Sequence, residues 1–368
     1  MSGAVAVTFV SSHARLGGEE TYLLQLLREL GPEWVRNVIC LEDAPFVEQL
    51  RAEGIQTEVI PTGPRLGIAP SAVKLRRALR RADPDVVHAN GVKAAVVCAV
   101  ALVGSNRPWI WLKHDFSWDG RLANLVAGRA TQVVAVSEAV TETFEGDVRK
   151  KVHVVHNGLP ELHAERDRGR ARLLALLGGD AGEVVSLVAR VDPNKGHREL
   201  IAILPELLVA LPGLRVAFIG AEHFPHLEFA EELSAEIARA GLEHAAAFVG
   251  FQENAVELIA GSDLIVIPST IGERGLGREG FPYAGLEAMA VGTPVVAYAH
   301  GGLPEMLGDC GRLVLPDDRG ALRDAILELL TDRGAYGQAA ACGRARVQER
   351  FSLIGMVEAM RDRYRAAA

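Results

Sequence analysis

The chain has 368 residues, 49% of them hydrophobic, and 39 Lys and Arg against 47 Asp and Glu, for a net charge of −8 and a pI near 5.8. That length and apolar content can bury two cores, and the acidic balance excludes a general nucleic-acid binder, which needs an excess of basic surface. The opening MSGAVAVTFV lacks the basic lead and long apolar core of a signal peptide, and no run approaches the ~18 apolar residues of a spanning helix; a cytoplasmic protein is expected. Cys40, Cys98, Cys310 and Cys342 are widely separated, form no metal-spaced pair, and read as ordinary thiols of a reducing compartment. Abundant Ala, Arg and Gly suggest a bacterial source.

In chain order, Ala4 to Val10 reads as a strand, followed by His13, Arg15 and Gly17-Gly18-Glu19-Glu20 ahead of an apolar helix from Tyr22 to Leu30. Glycines at such a turn let backbone approach a ligand, although a plain strand-to-helix turn has the same composition. Strands over 38–41 and 57–60 flank a helix over 46–54, an alternation that points to a parallel sheet covered by helices. KLRRALRR at 74–81 is a basic helix face with Leu75 and Leu79 four apart. It reads either as a solvated face or as a contact for an anionic membrane or phosphorylated acceptor. Being the lone basic helix in a chain of modest basic content, it favours a soluble acceptor and leaves membrane contact open.

Asp83-Pro84-Asp85 matches an acid-x-acid metal motif, but it precedes the strand Val86 to Ala89, and ligands gather outside the carboxyl ends of such strands. His88-Ala89-Asn90-Gly91 lies at that productive end. So does His114-Asp115, after a strand from Trp109 to Lys113, where a histidine has a stronger claim to function than one inside the fold. Strands over 133–136 and 152–155 lead to Ser137-Glu138 and His156-Asn157-Gly158. The composition then shifts over 160–182, rich in Arg, Glu, Gly and Asp, and a boundary is expected near residue 165. Beyond it come a strand from Val184 to Ala189, Arg190, and Lys195-Gly196 before a helix at His197. Two cations beside a helix start suit a diphosphate, Arg as a planar fork and Lys as a point charge. Strands over 214–219 and 246–249 follow, the second leading to Phe251-Gln252. Later, 311–315 reads as a strand, 319–330 as a helix, and 347–364 as one amphipathic segment.

Between these lies residues 262–303, SDLIVIPSTIGERGLGREGFPYAGLEAMAVGTPVVAYAHGGL. A buried strand from Leu264 to Ile267 ends at Pro268-Ser269, and a helix starts near Pro282, which suits the first helical position. Its free N–H groups near Tyr283 and Ala284 favour an anion. Glu279 and Glu287 bracket that end, and ionised glutamates accept paired hydrogen bonds from sugar hydroxyls; the spacing alone would equally fit two solvated, dipole-favoured carboxylates. Gly275-x-Gly277-x-x-Gly280 imitates a dinucleotide fingerprint, yet several loop residues intervene after the strand and no acidic residue ends the next one, at Ala299-His300.

The run Glu279-Gly280-Phe281, Leu286-Glu287-Ala288-Met289-Ala290, Gly292-Thr293-Pro294-Val295-Val296 and Gly301-Gly302 with Pro304-Glu305 resembles the nucleotide-sugar site of family 4 retaining glycosyltransferases. The resemblance implies an α/β chain of the GT-B fold, two Rossmann-like domains facing across a cleft. These are an acceptor domain at 1–165, a nucleotide-sugar domain at 166–345, and a terminal helix at 346–368 crossing back to the first domain. It implies metal-independent transfer, with retention, from a nucleoside-diphosphate sugar, UDP before GDP, to the hydroxyl of a small natural product or glycan, with no cofactor beyond that co-substrate. Arg190 and Lys195 would bind the leaving diphosphate, Glu279 the sugar hydroxyls, Glu287 the ribose, and His114 the far side of the sugar. Gly17, Gly18, Gly280, Phe281, Pro282, Tyr283 and Ala284 would line the donor, with Phe251 and Gln252 at the base. Asn90 stands where the family more often has a second histidine. An epimerase or phosphorylase on the same architecture, or a non-catalytic nucleotide-sugar-binding partner, are the alternatives.

Overall fold

The computed structural model describes residues 3–15, 17–63, 67–222, 226–272 and 277–368. Two compact units emerge, Met1–Gly158 with Leu353–Ala368, and Leu159–Ser352.

Unit 1 alternates strand and helix: β1 (Val7–Ser11), α1 (Gly18–Leu30), β2 (Val35–Cys40), α2 (Pro45–Ala52), β3 (Thr57–Val59), α3 (Ile68–Ala82), β4 (Val86–Asn90), α4 (Val92–Ala101), β5 (Trp109–Lys113), α5 (Arg121–Arg129), β6 (Gln132–Ala135), α6 (Glu138–Thr141), α7 (Gly146–Arg149) and β7 (Val152–Val154). The strands form one parallel sheet in the order β3-β2-β1-β4-β5-β6-β7. The order reverses between β1 and β4, the kind of place where parallel α/β sheets open a ligand crevice.

The period-two alternation of these strands sorts their side chains to two faces. Val10 and Ala89 point into a core shared with Leu75, Leu79, Ala95, Val126 and Ala127 of α3, α4 and α5. Their neighbours Phe9 and His88, paired in register, point the other way, against Tyr364. The buried Tyr364 hydroxyl lies 2.7 Å from His88 Nδ1. Burial pushes the His88 ring down to about 3, so it stays neutral and structural rather than serving the carboxyl edge of the sheet.

Unit 2 contains α8 (Arg166–Leu177), β8 (Val184–Val188), α9 (His197–Ala210), β9 (Arg215–Ile219), α10 (Phe229–Arg239), β10 (Ala246–Gly250), α11 (Ala255–Gly261), β11 (Leu264–Ile267), α12 (Tyr283–Val291), β12 (Val295–Tyr298), α13 (Leu303–Leu307), β13 (Arg312–Val314), α14 (Arg319–Thr331) and α15 (Arg333–Arg350); α16 (Leu353–Ala367) then belongs to unit 1. The parallel sheet runs β10-β9-β8-β11-β12-β13 and reverses between β8 and β11. Its core packs Leu187, Leu200, Leu204, Phe218, Val266 and Leu329.

Three expectations need correction. The final amphipathic segment is two helices, broken at Phe351-Ser352. There Leu159 N donates to Phe351 O at 2.9 Å, and the Phe351 ring meets Phe281 edge-on at 5.1 Å. Pro282 is the N-cap of α12, one place before the first helical residue, with extended ψ of 128°. Cys310 and Cys342 are not free thiols but a disulfide, their Cα atoms 5.1 Å apart. Proximity across 32 residues of sequence leaves no trace in spacing. Cys40 and Cys98 are buried free thiols. By loop-closure entropy a crosslink of this span adds about 3–4 kcal/mol. Reduction, or Cys310→Ser with Cys342→Ser, is therefore expected to lower the unfolding temperature by several degrees in calorimetry.

Candidate active site

In unit 2 the two strands flanking the reversal deliver the predicted residues. After β8 the chain passes Arg190, turns through a 3₁₀ segment at Pro193–Lys195, and enters α9 at Gly196. Gly196 has a φ of 78°, and a Cβ there would meet the Pro268 carbonyl oxygen at 1.9 Å. Only glycine permits this approach of the β8 loop to the β11 exit. Thr270 N then donates to Asn194 O at 2.9 Å, tying the two loops together.

This brings Lys195 and Glu279 into contact. Lys195 Nζ donates to Glu279 Oε1 at 2.7 Å, and Ser269 Oγ donates to the same oxygen at 2.6 Å. Burial pushes the Glu279 carboxyl up, but the charge and hydrogen bond of Lys195, the Ser269 bond and the nearby His300 outweigh it and hold the group below its ordinary value. Glu279 is therefore ionised at neutral pH, and its Oε2 accepts no hydrogen bond among the described residues. The backbone is fixed as tightly: Gly302 N donates to Glu279 O at 2.8 Å. Gly301, at φ 58°, comes so close that a Cβ would lie 2.0 Å from that oxygen.

Ser269 and His300 were not assigned from sequence. His300 Nε2 lies 2.6 Å from the Ser269 carbonyl oxygen and donates to it, so the ring braces the residue that holds Glu279. The signal was their position, each just past the carboxyl end of a central strand.

Arg190 is exposed and has no hydrogen bond or ion pair among the described residues, leaving its guanidinium available. Past Gly280 and Pro282, α12 begins at Tyr283 and Ala284 with no side-chain cap. The Phe281 ring is buried against Phe351, so only its backbone can face a ligand. Glu287, one turn into α12, is half-buried without a partner among the described residues, and desolvation pushes it up to about 7. Gln252 is engaged, accepting from Arg172 Nη2 at 2.8 Å and donating to Val249 O at 2.9 Å, beside an exposed Phe251. Gly275 of the fingerprint lies outside the described residues.

Unit 1 gathers its own predicted residues at the carboxyl edge of its sheet. Gly17 caps α1 in extended conformation and Gly18 is its first residue. His114 packs edge-on against Tyr22 of that helix, and its Nε2 lies 2.8 Å from Asn90 Oδ1. Asn90 Nδ2 donates to Glu19 O at 3.3 Å, which fixes the amide and makes His114 Nε2 the donor. Burial pushes His114 down to about 4, with Asp115 opposing and Lys113 assisting; the ring is neutral at physiological pH. Asn90, whose role sequence left open, thus sets the His114 tautomer. Asn90→Asp is expected to raise the His114 pKa, readable in an NMR titration of its ring protons.

Asp83 and Asp85 do other work. Asp83 pairs with Arg107 at 2.7 Å, and Asp85 Oδ2 accepts from Ala6 N at 2.8 Å. Among the described residues no group of three or more His, Cys, Asp or Glu is placed to hold a metal ion, and no helix is long and apolar enough to cross a membrane.

Comparison with known proteins decides the family. The model of glycosyltransferase family 4 matches residues 16–161, and that of glycosyl transferases group 1 matches residues 182–332. The chain is a family 4 glycosyltransferase. This glycosyltransferase is 32% identical over 177 residues to the lipopolysaccharide core biosynthesis mannosyltransferase LpsB of Rhizobium meliloti, a match covering 47% of this chain and 48% of that protein. It is thus matched over only about half of that relative's length. It is 28% identical to a D-inositol 3-phosphate glycosyltransferase of Nocardioides, over 95% of this chain and 85% of the other. Among solved structures it resembles HepE of Anabaena in complex with UDP and glucose, with a TM-score of 0.87 and 26% identity over 98% of this chain and 99% of that one. The two Rossmann-like units are therefore those of the GT-B fold.

Proposed function

We propose that the chain transfers a sugar from a nucleoside-diphosphate sugar, UDP before GDP, to a hydroxyl acceptor, with retention and without a metal ion. The observation that carries this is the Lys195–Glu279 pair at the reversal of the unit 2 sheet, with Arg190, which has no partner among the described residues, beside it. HepE was solved with UDP and with UDP-glucose, which supports UDP. The Nocardioides relative is a D-inositol 3-phosphate glycosyltransferase, which makes a phosphorylated cyclitol one acceptor to try.

Cleavage of the bond from the anomeric carbon to the diphosphate oxygen leaves charge on that oxygen. Arg190, Lys195 and the uncapped start of α12 offer fixed positive charge, which stabilises the departing group without reorganisation. The acceptor oxygen bonds to the same face of the anomeric carbon, and its proton passes to the departing phosphate oxygen. Glu279 Oε2 would accept from sugar hydroxyls while Lys195 keeps the carboxylate ionised. Glu287 would accept from the ribose hydroxyls, and neutral His114 would line the far side of the sugar.

The test is UDP release from UDP-glucose in EDTA, with and without a panel of sugars and cyclitols, followed by proton NMR of the anomeric linkage. Release that depends on acceptor and gives an α-linked product supports the reading. Consumption of donor with phosphate alone, or epimerised donor without release, points to a phosphorylase or an epimerase.

A further inference from the structure

The loop that joins β5 to α5 starts at His114, on the carboxyl edge of the unit 1 sheet, and is built around a buried lysine. Lys113 ends β5 with its side chain fully buried, its Nζ 5.6 Å from the centroid of the Trp111 ring. That Nζ donates to Ser117 O at 2.8 Å and pairs with Asp119 at 3.0 Å. Asp115 closes the turn from the other side, its Oδ1 accepting from Ser117 N at 3.1 Å and from Ser117 Oγ at 2.7 Å. An ammonium taken out of water is costly unless such partners meet it. Here the partners sit in the loop, so the lysine fixes the loop's shape. The contacts converge on Ser117 and Asp119, the two neighbours of Trp118.

Trp118 is held against its own preferences. Its φ of 57° lies in the left-handed region, where the Cβ crowds the backbone. Among the described residues the other non-glycine positions there are Asp83 and Asp317, and aspartate tolerates that region because its short side chain can bond the local backbone. An indole has no such compensation. Nor is it buried: Trp118 is 52% exposed, whereas Trp34, Trp109 and Trp111 are 5%, 3% and 1% exposed. A strained turn that keeps a large aromatic face in water lowers stability, so its reason lies in what the face binds.

We propose that Trp118 is a stacking platform for the acceptor, and that the acceptor presents there a polyhydroxylated six-membered ring, a pyranose or a cyclitol. Such a ring turns C–H groups to its faces and hydroxyls to its rim. The indole covers the C–H face, burying apolar area with few rotors to freeze. Asp115 and Asp119, both partly exposed, stand in the same turn to accept from rim hydroxyls. A purely apolar partner would desolvate those carboxylates without pairing them; a polyhydroxyl ring uses both features. His114, which opens the loop, puts the platform at the edge where the site residues of unit 1 gather. The inference rests on the transferase reading, in that unit 1 takes the acceptor.

The test uses the full chain with UDP and, in turn, the methyl glycosides of glucose, mannose and galactose and D-inositol 3-phosphate. Because the other tryptophans are buried, acrylamide quenching of the fluorescence reads Trp118. At least one of these compounds is expected to shield it saturably, with no turnover needed. The same compound should serve in acceptor-dependent UDP release from UDP-glucose. Its KM should rise about thirtyfold in Trp118→Gly and about threefold in Trp118→Phe, with kcat nearly unchanged. Glycine suits the positive φ, so the unfolding temperature of Trp118→Gly should match or exceed that of the wild type, which separates a lost platform from a damaged fold. Shielding without UDP release would support the ring platform and count against the transferase reading alone. No shielding by any of the compounds, or an acceptor KM unmoved in Trp118→Gly, would overturn the platform.

Discussion

Glu279→Gln is expected to lower transferase turnover by about a thousandfold while leaving UDP binding intact or slightly tighter. The amide keeps the volume and one oxygen that still accepts from Ser269, but removes the charge that holds Lys195 at 2.7 Å. Sugar hydroxyls then meet a group that offers one acceptor oxygen and an NH2. Lys195, released from its partner, turns toward the diphosphate. The split matters more than the size. A structural carboxylate would weaken binding and turnover together, whereas a sugar-facing one lowers kcat and spares the affinity for UDP. Steady-state kinetics with UDP-glucose beside calorimetric titration of UDP separates the two.

Glu287→Gln is expected to stabilise the unliganded protein at pH 8 and to weaken its response to UDP. Desolvation raises this carboxyl to about 7 from an ordinary 4.5, so the fold prefers the neutral form. For such a group the favourable contribution is complete below about 4.5 and is lost as pH rises through 7. The glutamine variant carries no charge and escapes the loss. Allowing for partial exposure, the gain is about 2–3 kcal/mol at pH 8, and it vanishes near pH 4.5. A half-buried carboxylate that costs stability and has no partner is what a ligand site contains when function sets the residue. Ribose hydroxyls favour the ionised form, so wild-type affinity for UDP should rise from pH 6 to pH 8. Glu287→Gln should flatten that rise. Thermal unfolding at pH 5 and pH 8, with and without UDP, reads both effects.

Strand and helix alternation was legible because parallel strands buried on both faces, such as Leu264–Ile267 and Val184–Val188, read as short apolar runs closed by turn residues. The cations at 190 and 195 stand out in sequence because they lie between a strand run and the next helix, and the glutamates at 279 and 287 because they bracket the start of α12. What sequence could not give was contact between loops. Glu279 reads as a free carboxylate until Gly196 lets the β8 loop reach Pro268 and Lys195 arrives. Asn90 reads as a departure from pattern until its amide is seen between Glu19 and His114. The Cys310–Cys342 bond and the break at Phe351-Ser352 depend on packing partners far away in the chain.

The central claim is that the sheet reversal in unit 2 binds a nucleoside diphosphate through protein cations. Thermal unfolding with UDP, GDP, ADP and NAD, each with and without EDTA, tests it directly. Ligand at about a hundredfold its dissociation constant adds roughly 2.7 kcal/mol. A shift with UDP, or failing that GDP, that survives EDTA and is lost in Arg190→Ala/Lys195→Ala is the predicted result. A shift with NAD alone, or one that disappears with EDTA, would contradict it.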